Sequence, residues 1–404
     1  MFRTLDDLGD IAGRRVLVRE DLNVPMADGA VSDDTRLRAA AATLLELADR
    51  GAKVLVLAHF GRPTGGPDEK NSLRQVVPAL SSVLGRPVGF VDPFAPGGDA
   101  HADAVADGGI AVVENTRFDP GEEANAPEFV ERLKTLGDVF VNDAFSAAHR
   151  AHASTVGLAK VLPAYAGRAM QAELEALERA LGQPVHPVAA VVGGAKVSSK
   201  LDVLKHLVGK VDHLIIGGGM ANTFLAARGV DVGRSLCEPD LASTAEAILA
   251  NADRAGCTVH LPYDVVVAKQ FAANVPTRTV NVNEVHSDEM ILDVGPQAVE
   301  ALGDVLKTCR TLVWNGPLGA FETPPFDKAT VALARTAAAL TAEGSLVSVA
   351  GGGDTVAALN HAGVAERFSY VSTAGGAFLE WMEGKPLPGV AALEVDPAVP
   401  QDGP

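Results

Sequence analysis

Short apolar runs rich in β-branched residues alternate with helical patterns along almost the whole chain. The runs lie at residues 16–18, 54–57, 110–113 and 139–141, and again at 188–192, 214–216, 258–261, 312–314 and 346–349. Strands separated by helices, such as the helical pattern at 35–50, form βαβ units and pair in parallel. At 404 residues, 47% of them apolar, the chain exceeds one ordinary core. The sequence therefore predicts an α/β fold of two doubly wound, Rossmann-like parallel-sheet domains.

A connecting helix is expected between the two domains. Leu174, Leu177 and Leu181 recur at helical spacing among glutamates, and Gly182-Gln183-Pro184 ends the pattern. We expect an N-terminal domain at 1–168, a hinge helix at 169–182 and a C-terminal domain at 183–385, with a cleft between the domains. Residues 386–404 are expected to return to the N-terminal domain, with a disordered end because little there can be buried.

Composition excludes several classes of protein. The formal net charge of −17 disfavours nucleic acid or an anionic membrane surface as partner. The chain has no apolar run long enough to span a bilayer, and residues 1–7 lack the apolar core of a signal peptide, so we expect a cytoplasmic protein. Cys237, Cys257 and Cys309 are far apart and odd in number, which predicts buried structural thiols.

Residues 193–200, Gly-Gly-Ala-Lys-Val-Ser-Ser-Lys, follow an apolar run directly. Glycines let backbone N–H groups approach an anion, and a helix starting near Ser198 would point its positive end at that anion. Lys196 and Lys200 would add full charges. The octet is thus either a phosphate site or a strand-to-helix turn with two solvated lysines.

Polar residues follow the predicted strands of the first half, where ligands bind in open parallel sheets. These residues are Arg19, Asp21, Asn23, His59, Arg62, Arg117, Asn142, Asp143, His149, Arg150 and His152. Arg36 joins them from the start of a helix that Ser32 or Asp33 would cap, where a bound anion would offset its conflict with the helix dipole. Clustered arginines suit a small carboxylate-phosphate ligand, and Asp21 and Asn23 would accept from its hydroxyl.

Each of these residues also has a structural interpretation. A histidine at the end of an apolar run, such as His59, is more often a core residue than a ligand-binding one, and residues 149–152 could form a solvated loop. Arg19 and Arg117 could simply pair with Glu20 and Glu114. Four arginines at strand ends favour a ligand site over these alternatives.

Glycine-rich turns follow the predicted strands of the second half. They lie at 217–219, 316–319 and 351–353, and each is close to a polar or acidic side chain. Glycines permit close approach to a flat base or a phosphate chain; Glu322 could accept from ribose hydroxyls and Asp354 could hold Mg²⁺. Neither a Walker A loop nor a GxGxxG fingerprint occurs.

Taken in order, the motifs make the chain resemble the phosphoglycerate kinase family from about Leu5 to Leu393. The matching segments are Arg19-Glu20-Asp21-Leu22-Asn23-Val24-Pro25, His59-Phe60-Gly61-Arg62-Pro63, Glu114-Asn115-Thr116-Arg117-Phe118, residues 142–152, the lysine octet, Trp314-Asn315-Gly316-Pro317, residues 351–355 and Ser372-Thr373-Ala374-Gly375-Gly376.

The resemblance implies a division of roles between the domains. The N-terminal domain would bind 3-phosphoglycerate through Asp21, Asn23, Arg36, His59, Arg62, Arg117 and Arg150. The C-terminal domain would bind Mg²⁺ with ADP or ATP through Gly194, Lys196, Lys200, Gly218, Asn315, Gly319, Glu322, Gly351, Gly352, Gly353, Asp354 and Thr355, with Asp354 at the metal.

The implied reaction is phosphoryl transfer between 1,3-bisphosphoglycerate and ADP. A carboxylate acceptor is already ionised at neutral pH, so charge neutralisation and positioning suffice, without a general base. The catalytic groups would be Arg36, Lys196, Lys200 and the backbone of Gly375 and Gly376, brought together by domain closure in a monomer.

Three positions depart from the family pattern. Glu20 and Leu22 replace the usual Val and Phe, and alternation predicts that both face away from Asp21 and Asn23. Ala374 replaces a glycine. Alanine at positive φ would cost on the order of 1 kcal/mol, so we expect an ordinary negative φ there.

Two other classes of protein are alternatives to a kinase. A noncatalytic nucleotide or sugar-phosphate binding protein would keep the glycine turns but would not need arginines facing lysines across a cleft. A nicotinamide dehydrogenase is disfavoured because the dinucleotide fingerprint is absent.

Overall fold

The computed structural model describes residues 2–64, 66–93, 95 and 103–394. Contacts divide the chain into unit 1, Met1–Leu174 with Pro386–Pro404, and unit 2, Glu175–Lys385. The boundary falls inside the helix Arg168–Leu177, which continues as the π-helical segment Glu178–Gly182. The disordered end expected after residue 394 lies outside the described residues.

Unit 1 is built on a parallel sheet. Its strands are β1 Arg15–Arg19, β4 Lys53–Leu57, β5 Val88–Val91, β6 Ile110–Val113, β7 Val139–Asn142 and β8 Ala164–Ala166, in the order β5-β6-β4-β1-β7-β8. A short hairpin of β2 Met26–Ala27 and β3 Ala30–Val31 follows β1. The chain moves from β1 past β4 to the edge strand β5, returns to place β6 between β5 and β4, and then crosses to β7 on the other side of β1, which makes the sheet doubly wound.

Helices connect the strands of unit 1. The α-helices are Thr35–Asp49, Val77–Leu84, Gly121–Ala124, Pro127–Lys134, Leu158–Val161, Arg168–Leu177 and Pro388–Ala391. The shorter segments are the 3₁₀-helices Leu5–Asp7, Glu69–Asn71, Leu73–Val76, Thr116–Phe118 and Phe145–Ala147 and the π-helix Ala153–Gly157.

Both faces of the unit 1 sheet are buried. Val16 and Val18 belong to one apolar cluster and Leu17, between them, belongs to another. Successive side chains of a strand point to opposite faces, so a run without polar residues is required here. This is why the strands appear in the sequence as continuous apolar runs.

Unit 2 repeats this architecture. Its parallel strands are β9 Val188–Val192, β10 His213–Ile216, β11 Thr258–His260, β15 Thr311–Asn315, β16 Val347–Gly351 and β17 Tyr370–Ser372, in the order β11-β10-β9-β15-β16-β17. Its α-helices are Leu201–Leu207, Gly218–Ala227, Ala242–Ala255, Pro296–Thr308, Lys328–Ala342, Gly353–His361 and Gly375–Met382, and its 3₁₀-helices are Val197–Ser199, Pro239–Leu241, Val282–Glu284 and Ala365–Arg367.

An antiparallel sheet in unit 2 was not expected. It consists of β12 Asp264–Ala268, β13 Arg278–Asn281 and β14 Met290–Val294, in the order β13-β12-β14. The exposed β13 is polar and β14 has no clean alternation, so neither carries a strong sequence signal. No helix of the described ranges has the length and apolarity needed to cross a membrane.

Two helix starts differ in detail from the predictions. The helix carrying Arg36 has Asp34 at its N-cap position without a side-chain cap bond, whereas Asp33, one of the two predicted capping residues, accepts from the backbone N–H of Thr35 at 2.8 Å. The octet forms a 3₁₀ turn at Val197–Ser199, and the α-helix begins only at Leu201.

Candidate active site

Each parallel sheet has one point where the strand order reverses, and the predicted ligand residues gather there. In unit 1 this point lies between β1 and β7, where Arg19 pairs in register with Asn142. In unit 2 it lies between β9 and β15, where Val192 pairs with Asn315. The loops at such a point diverge and leave a crevice at the carboxyl ends of the strands.

Asp21, Asn23 and Arg36 come together after β1. Arg36 Nη1 lies 3.2 Å from Asp21 Oδ1 and donates to the backbone oxygen of Asn23 at 2.6 Å. Ser146 Oγ donates to the other Asp21 oxygen at 2.6 Å. These bonds fix the orientation of Asp21 while about a third of the Arg36 side chain stays exposed. Arg36 can therefore still contact an anion.

The loop after β4 links Asn23 to Arg117. Gly61 donates its backbone N–H to Asn23 Oδ1 at 2.9 Å and accepts from Arg117 Nη1 at 2.9 Å. Gly61 has φ +59°, a left-handed conformation that favours glycine, and an added Cβ would lie 2.2 Å from Asn71 Oδ1 and displace that side chain. Arg117 pairs with Glu123 at 3.0 Å, not with Glu114.

Glu114 supports the surrounding loops, whereas the sequence indicated it only as a possible partner of Arg117 and as part of a family motif. Its carboxylate accepts from the backbone of Leu73 and Asn115 and from Ser72 Oγ at 2.7–3.0 Å. Asn115 in turn bonds the backbone of Phe60 in both directions. The family motif at residues 114–118 is the sequence signal that could have pointed to the role of Glu114 and Asn115.

His59 and its cationic neighbours form the buried side of this group. Burial lowers the pKa of His59 far below its ordinary value, and Arg19, Arg117 and Arg150 lower it further. Burial and the same arginines lower the pKa of His152 to about 4. Both imidazoles are neutral at pH 7, so the positive charge of this group comes from arginines.

Arg150 and Arg62 complete the unit 1 residues. Arg150 acts on His59, Arg19 and Arg117 through its charge and donates from Nε to His149 at 3.1 Å. Arg62 is exposed, next to Gly61. Glu20 and Leu22 are buried while Asp21 and Asn23 are partly exposed, so the predicted alternation is confirmed.

Lys200 lies at the point where β9 and β15 end. Its ammonium donates to the backbone oxygens of Gly193 at 2.6 Å and Asn315 at 3.0 Å. Burial lowers the pKa of Lys200 to about 8, and the nearby Asp354 carboxylate opposes that shift. The lysine is thus held with part of its charge uncompensated.

Asn315 and Thr355 hold the glycine turns together. Asn315 Nδ2 donates to Gly351 at 2.8 Å, and Thr355 Oγ1 accepts from the N–H of Gly316 at 2.7 Å. Both side chains are buried. Among the described residues Asn315 Oδ1 is buried without a hydrogen-bond partner, which makes it a free acceptor in this wall.

A cavity of about 510 Å³ opens beside these turns in unit 2. Of the predicted nucleotide residues, Gly194, Gly218, Gly319, Glu322 and Asp354 line it. The apolar walls were missed by sequence reasoning: Leu236, Pro262, Phe271, Met290, Leu292 and Phe321. Phe271 and Leu236 are 61% and 48% exposed, which is unusual for large apolar side chains and typical of a binding surface.

Three glycine-started helices surround this region. Helices Gly218–Ala227, Gly353–His361 and Gly375–Met382 each have a positive dipole end at their first turn, although in the first of them the N–H groups of Gly218 and Met220 already donate to the carbonyls of Leu318 and Gly194. Gly352, before the second, has φ +97°, a conformation that favours glycine. Ala374, before the third, has φ −93°, so its predicted negative φ is confirmed.

The N-terminus of the octet's turn is not available to a ligand anion. The Glu238 carboxylate accepts from the backbone N–H of Ser198 at 3.0 Å and from its hydroxyl at 2.5 Å. In this structure the N–H of Ser198 is therefore paired with a carboxylate of the protein itself. Lys196, which precedes the turn, is exposed.

Comparisons with known proteins agree with this geometry. Residues 5–385 match the family model of phosphoglycerate kinase. Phosphoglycerate kinases of Novosphingobium aromaticivorans and Rhizorhabdus wittichii are each 75% identical over 97% of this chain and 99% of theirs. The structure of phosphoglycerate kinase from Coxiella burnetii is similar with a TM-score of 0.91 and 41% identity, covering 97% of this chain and 99% of that one.

The reaction of this family is reversible phosphoryl transfer between 1,3-bisphosphoglycerate and ADP, which gives 3-phosphoglycerate and ATP. This decides against both a noncatalytic binding protein and a dehydrogenase. Matched over nearly its whole length by family model, relatives and solved structure, the chain belongs to the phosphoglycerate kinase family of phosphotransferases.

Proposed function

We propose that unit 1 binds 3-phosphoglycerate and unit 2 binds the nucleotide. The main observation in support is that both sheets have cationic groups at the carboxyl ends of their strands, but the two sets of groups differ in chemistry. Unit 1 offers arginines and a neutral imidazole around Asp21 and Asn23, which suit a small phosphorylated hydroxy acid. Unit 2 offers Lys200 beside a partly apolar cavity, which suits a purine nucleotide.

In unit 1, the ligand's phosphate and carboxylate are assigned to Arg36, His59, Arg62, Arg117 and Arg150. Asp21 and Asn23 are assigned to its hydroxyl. Arg36 is preset by Asp21 and the Asn23 carbonyl. A guanidinium that is already oriented loses less side-chain entropy when it binds an anion.

In unit 2, the base is assigned to the apolar walls of the cavity and the ribose to Glu322. The phosphates are assigned to Lys196, Lys200, Asn315, Thr355 and the glycine backbone at Gly194, Gly218, Gly319 and 351–353. The helix start at Gly353 would add N–H donors.

Transfer itself needs charge neutralisation more than proton transfer. The acceptor carboxylate is ionised at neutral pH, so its oxygen can attack the terminal phosphorus in line. Arg36, Lys196, Lys200 and the N–H groups of Gly375 and Gly376 would hold the oxygens of the group in transit. Since the two ligands are assigned to different units, turnover would require movement about the helical segments Arg168–Leu177 and Glu178–Gly182.

Asp354 is the residue proposed to hold Mg²⁺. It is exposed in the first turn of helix Gly353–His361, lines the cavity and acts electrostatically on Lys200. No group of three or more metal-ligating side chains occurs in the described part of the chain. This fits Mg²⁺, which usually takes one or two carboxylates and completes its shell with phosphates and water. Bound there, the ion would neutralise phosphate charge.

The proposal also covers oligomeric state, location and partners. We expect a monomer, a cytoplasmic location and no nucleic-acid partner. The net charge of −17 supports the last of these.

A coupled assay of ATP formation from 1,3-bisphosphoglycerate and ADP tests the division of roles. Arg36→Ala is expected to reduce turnover by at least about 100-fold while leaving ADP affinity unchanged, because Arg36 is assigned to the other ligand. Lys200→Ala is expected to reduce both turnover and ADP affinity. Loss of ADP binding in Arg36→Ala would contradict the assignment, as would full activity of either variant.

A further inference from the structure

A buried chain of hydrogen bonds runs from Glu122 to His59 in unit 1. Ser154 donates its N–H to Glu122 Oε2 at 3.0 Å and its hydroxyl to Glu122 Oε1 at 2.5 Å. Arg19 Nε donates to the same hydroxyl at 2.8 Å, and Arg19 Nη2 lies 3.0 Å from His59 Nδ1. Arg19, Ser154 and Glu122 are each 0–1% exposed.

The direction of each bond follows from the chemistry of the groups. Both oxygens of Glu122 accept, as in an ionised carboxylate, and the Ser154 hydroxyl gives its single proton to Glu122. That hydroxyl can then only accept from Arg19. A guanidinium has five N–H donors and no acceptor, so Arg19 must also donate to His59.

This direction determines the tautomer of His59. A neutral imidazole carries its proton on one ring nitrogen and accepts on the other. If Nδ1 accepts from Arg19, the proton is on Nε2. His59 can then donate from Nε2 to an oxygen of a ligand, although the ring is uncharged.

We propose that Arg19, held by Ser154 and Glu122, is a positioning group that fixes His59 as its Nε2–H tautomer, so that the ring presents a hydrogen-bond donor to the phosphorylated substrate. The inference rests on the proposed substrate role of His59. It adds two residues, Ser154 and Glu122, that touch no ligand. Arg19 is 1% exposed, and three of its five N–H groups bond Ser154, His59 and the Glu20 carbonyl, so it acts through His59 and not on the substrate.

Nitrogen NMR of histidine-labelled protein without substrate tests the tautomer directly. The shifts of the two ring nitrogens distinguish a protonated from an unprotonated site, and His59→Gln identifies the signal. We expect a protonated Nε2 and an unprotonated Nδ1 in the parent protein. A proton on Nδ1, or an imidazolium at pH 7.5, would overturn the proposal.

Two variants test the role of the supporting residues. Ser154→Ala and Glu122→Gln should each give a mixture of His59 tautomers and raise KM for 3-phosphoglycerate about tenfold, as for loss of one oriented hydrogen bond. We expect kcat and KM for ATP to change less than about twofold. Glu131→Gln, on the exposed face of helix Pro127–Lys134, is the control and should change neither tautomer nor KM.

The outcomes distinguish the positioning role of Ser154 and Glu122 from the proposed contact between His59 and the substrate. An unchanged tautomer in both folded variants would show that Ser154 and Glu122 do not set it. A changed tautomer with an unchanged KM would keep the positioning role and refute the substrate contact of His59. Circular dichroism confirms folding, and Glu122→Gln, which is nearly isosteric, serves if Ser154→Ala unfolds.

Discussion

At the scale of single residues, Lys200 shows how burial tunes a charge. Its ammonium is held by two carbonyl oxygens, which carry no full negative charge. Burial therefore lowers its pKa to about 8, with Asp354 as the opposing influence. A cation with a lowered pKa loses its charge as pH rises through that value.

Nucleotide binding should follow this titration. We expect the affinity for Mg²⁺-free ADP to fall above pH 8, by up to about tenfold per pH unit, because the anion binds the charged form. Asp354→Asn should move the fall to lower pH, since it removes the charge that supports the ammonium. Calorimetric titration between pH 6 and 10 measures this.

Two variants serve as controls for that experiment. Lys200→Ala should bind weakly with no such pH dependence. Exposed Lys205→Ala should behave as the parent protein. A parent affinity that stays constant from pH 7 to 10 would contradict the assignment of Lys200 to the phosphates.

Glu20 is a second residue whose environment sets its protonation. Glu20 is 2% exposed and its carboxyl faces that of Asp143, which accepts from the backbone N–H of Met170 at 2.9 Å. Burial and the Asp143 carboxylate raise the pKa of Glu20 well above its ordinary value, while Arg19 opposes the shift. The pair therefore keeps a proton in the folded state.

Stability should decrease with rising pH because of this pair. Between the unfolded pKa near 4.5 and the raised folded pKa, the native state binds more protons than the unfolded state, so its free energy of unfolding falls, by up to about 1.4 kcal/mol per pH unit. Glu20→Gln keeps a donor to Asp143 without an acidic proton and should flatten the slope. Urea unfolding at pH 5 to 9 measures it; Glu69→Gln, which is exposed, should leave the slope unchanged. Equal slopes for Glu20→Gln and the parent would refute the protonated pair.

At the scale of elements, the loops after the strands restrict the choice of residue more than the strands themselves do. A strand buried on both faces accepts several apolar residues of suitable size. The loop after β9 does not, because the backbone of the loop after β15 approaches it closely. A Cβ on Gly193 would lie 1.9 Å from the Pro317 carbonyl oxygen.

Gly193→Ala should therefore destabilise unit 2, by about 2 kcal/mol or more, because rigid backbone must move. Gly353→Ala is the matched control: its Cβ would meet nothing within 4 Å, and it lies in a helical turn where alanine is favourable. Both tryptophans, Trp314 and Trp381, lie in unit 2, so fluorescence during urea unfolding reports on this unit. Equal stability of the two variants would contradict the close approach.

At the scale of the whole molecule, the chain builds one architecture twice and gives each copy a different loop chemistry. Both sheets are six-stranded, parallel and doubly wound, with crossing points at β1/β7 and β9/β15, although in unit 1 β6 lies between β5 and β4. Arginines follow the first set of strands and glycines with lysine follow the second. The proposed assignment of one substrate to each unit depends on that difference.

Hydrogen exchange with single ligands tests this assignment on the intact chain. We expect 3-phosphoglycerate to protect amides at 21–24 and 59–62, and ADP to protect those at 193–200, 218–222 and 351–355, since bound ligands suppress local opening. Glucose, which carries no phosphate, is the control and should protect neither set. Protection of the unit 1 loops by ADP with no change in unit 2 would refute the division.

The sequence by itself determined most of the parallel strands, their pairing class and the family, but not the antiparallel sheet of unit 2. Residues 188–192 could be assigned as a buried parallel strand because both faces of that strand require apolar side chains. The order of the motifs along the chain identified the family. These properties depend on local pattern, which a single sequence contains.

Only the tertiary structure decided what each polar group contacts. It showed Glu238 at the N–H of Ser198, where sequence reasoning expected a ligand anion, and Arg19 in a chain that ends on His59. It also brought Phe271 and Leu236 to one cavity. These partners are separated by 35 to 40 residues or more, so their contacts depend on how strands and loops pack, and no local pattern of the chain encodes them.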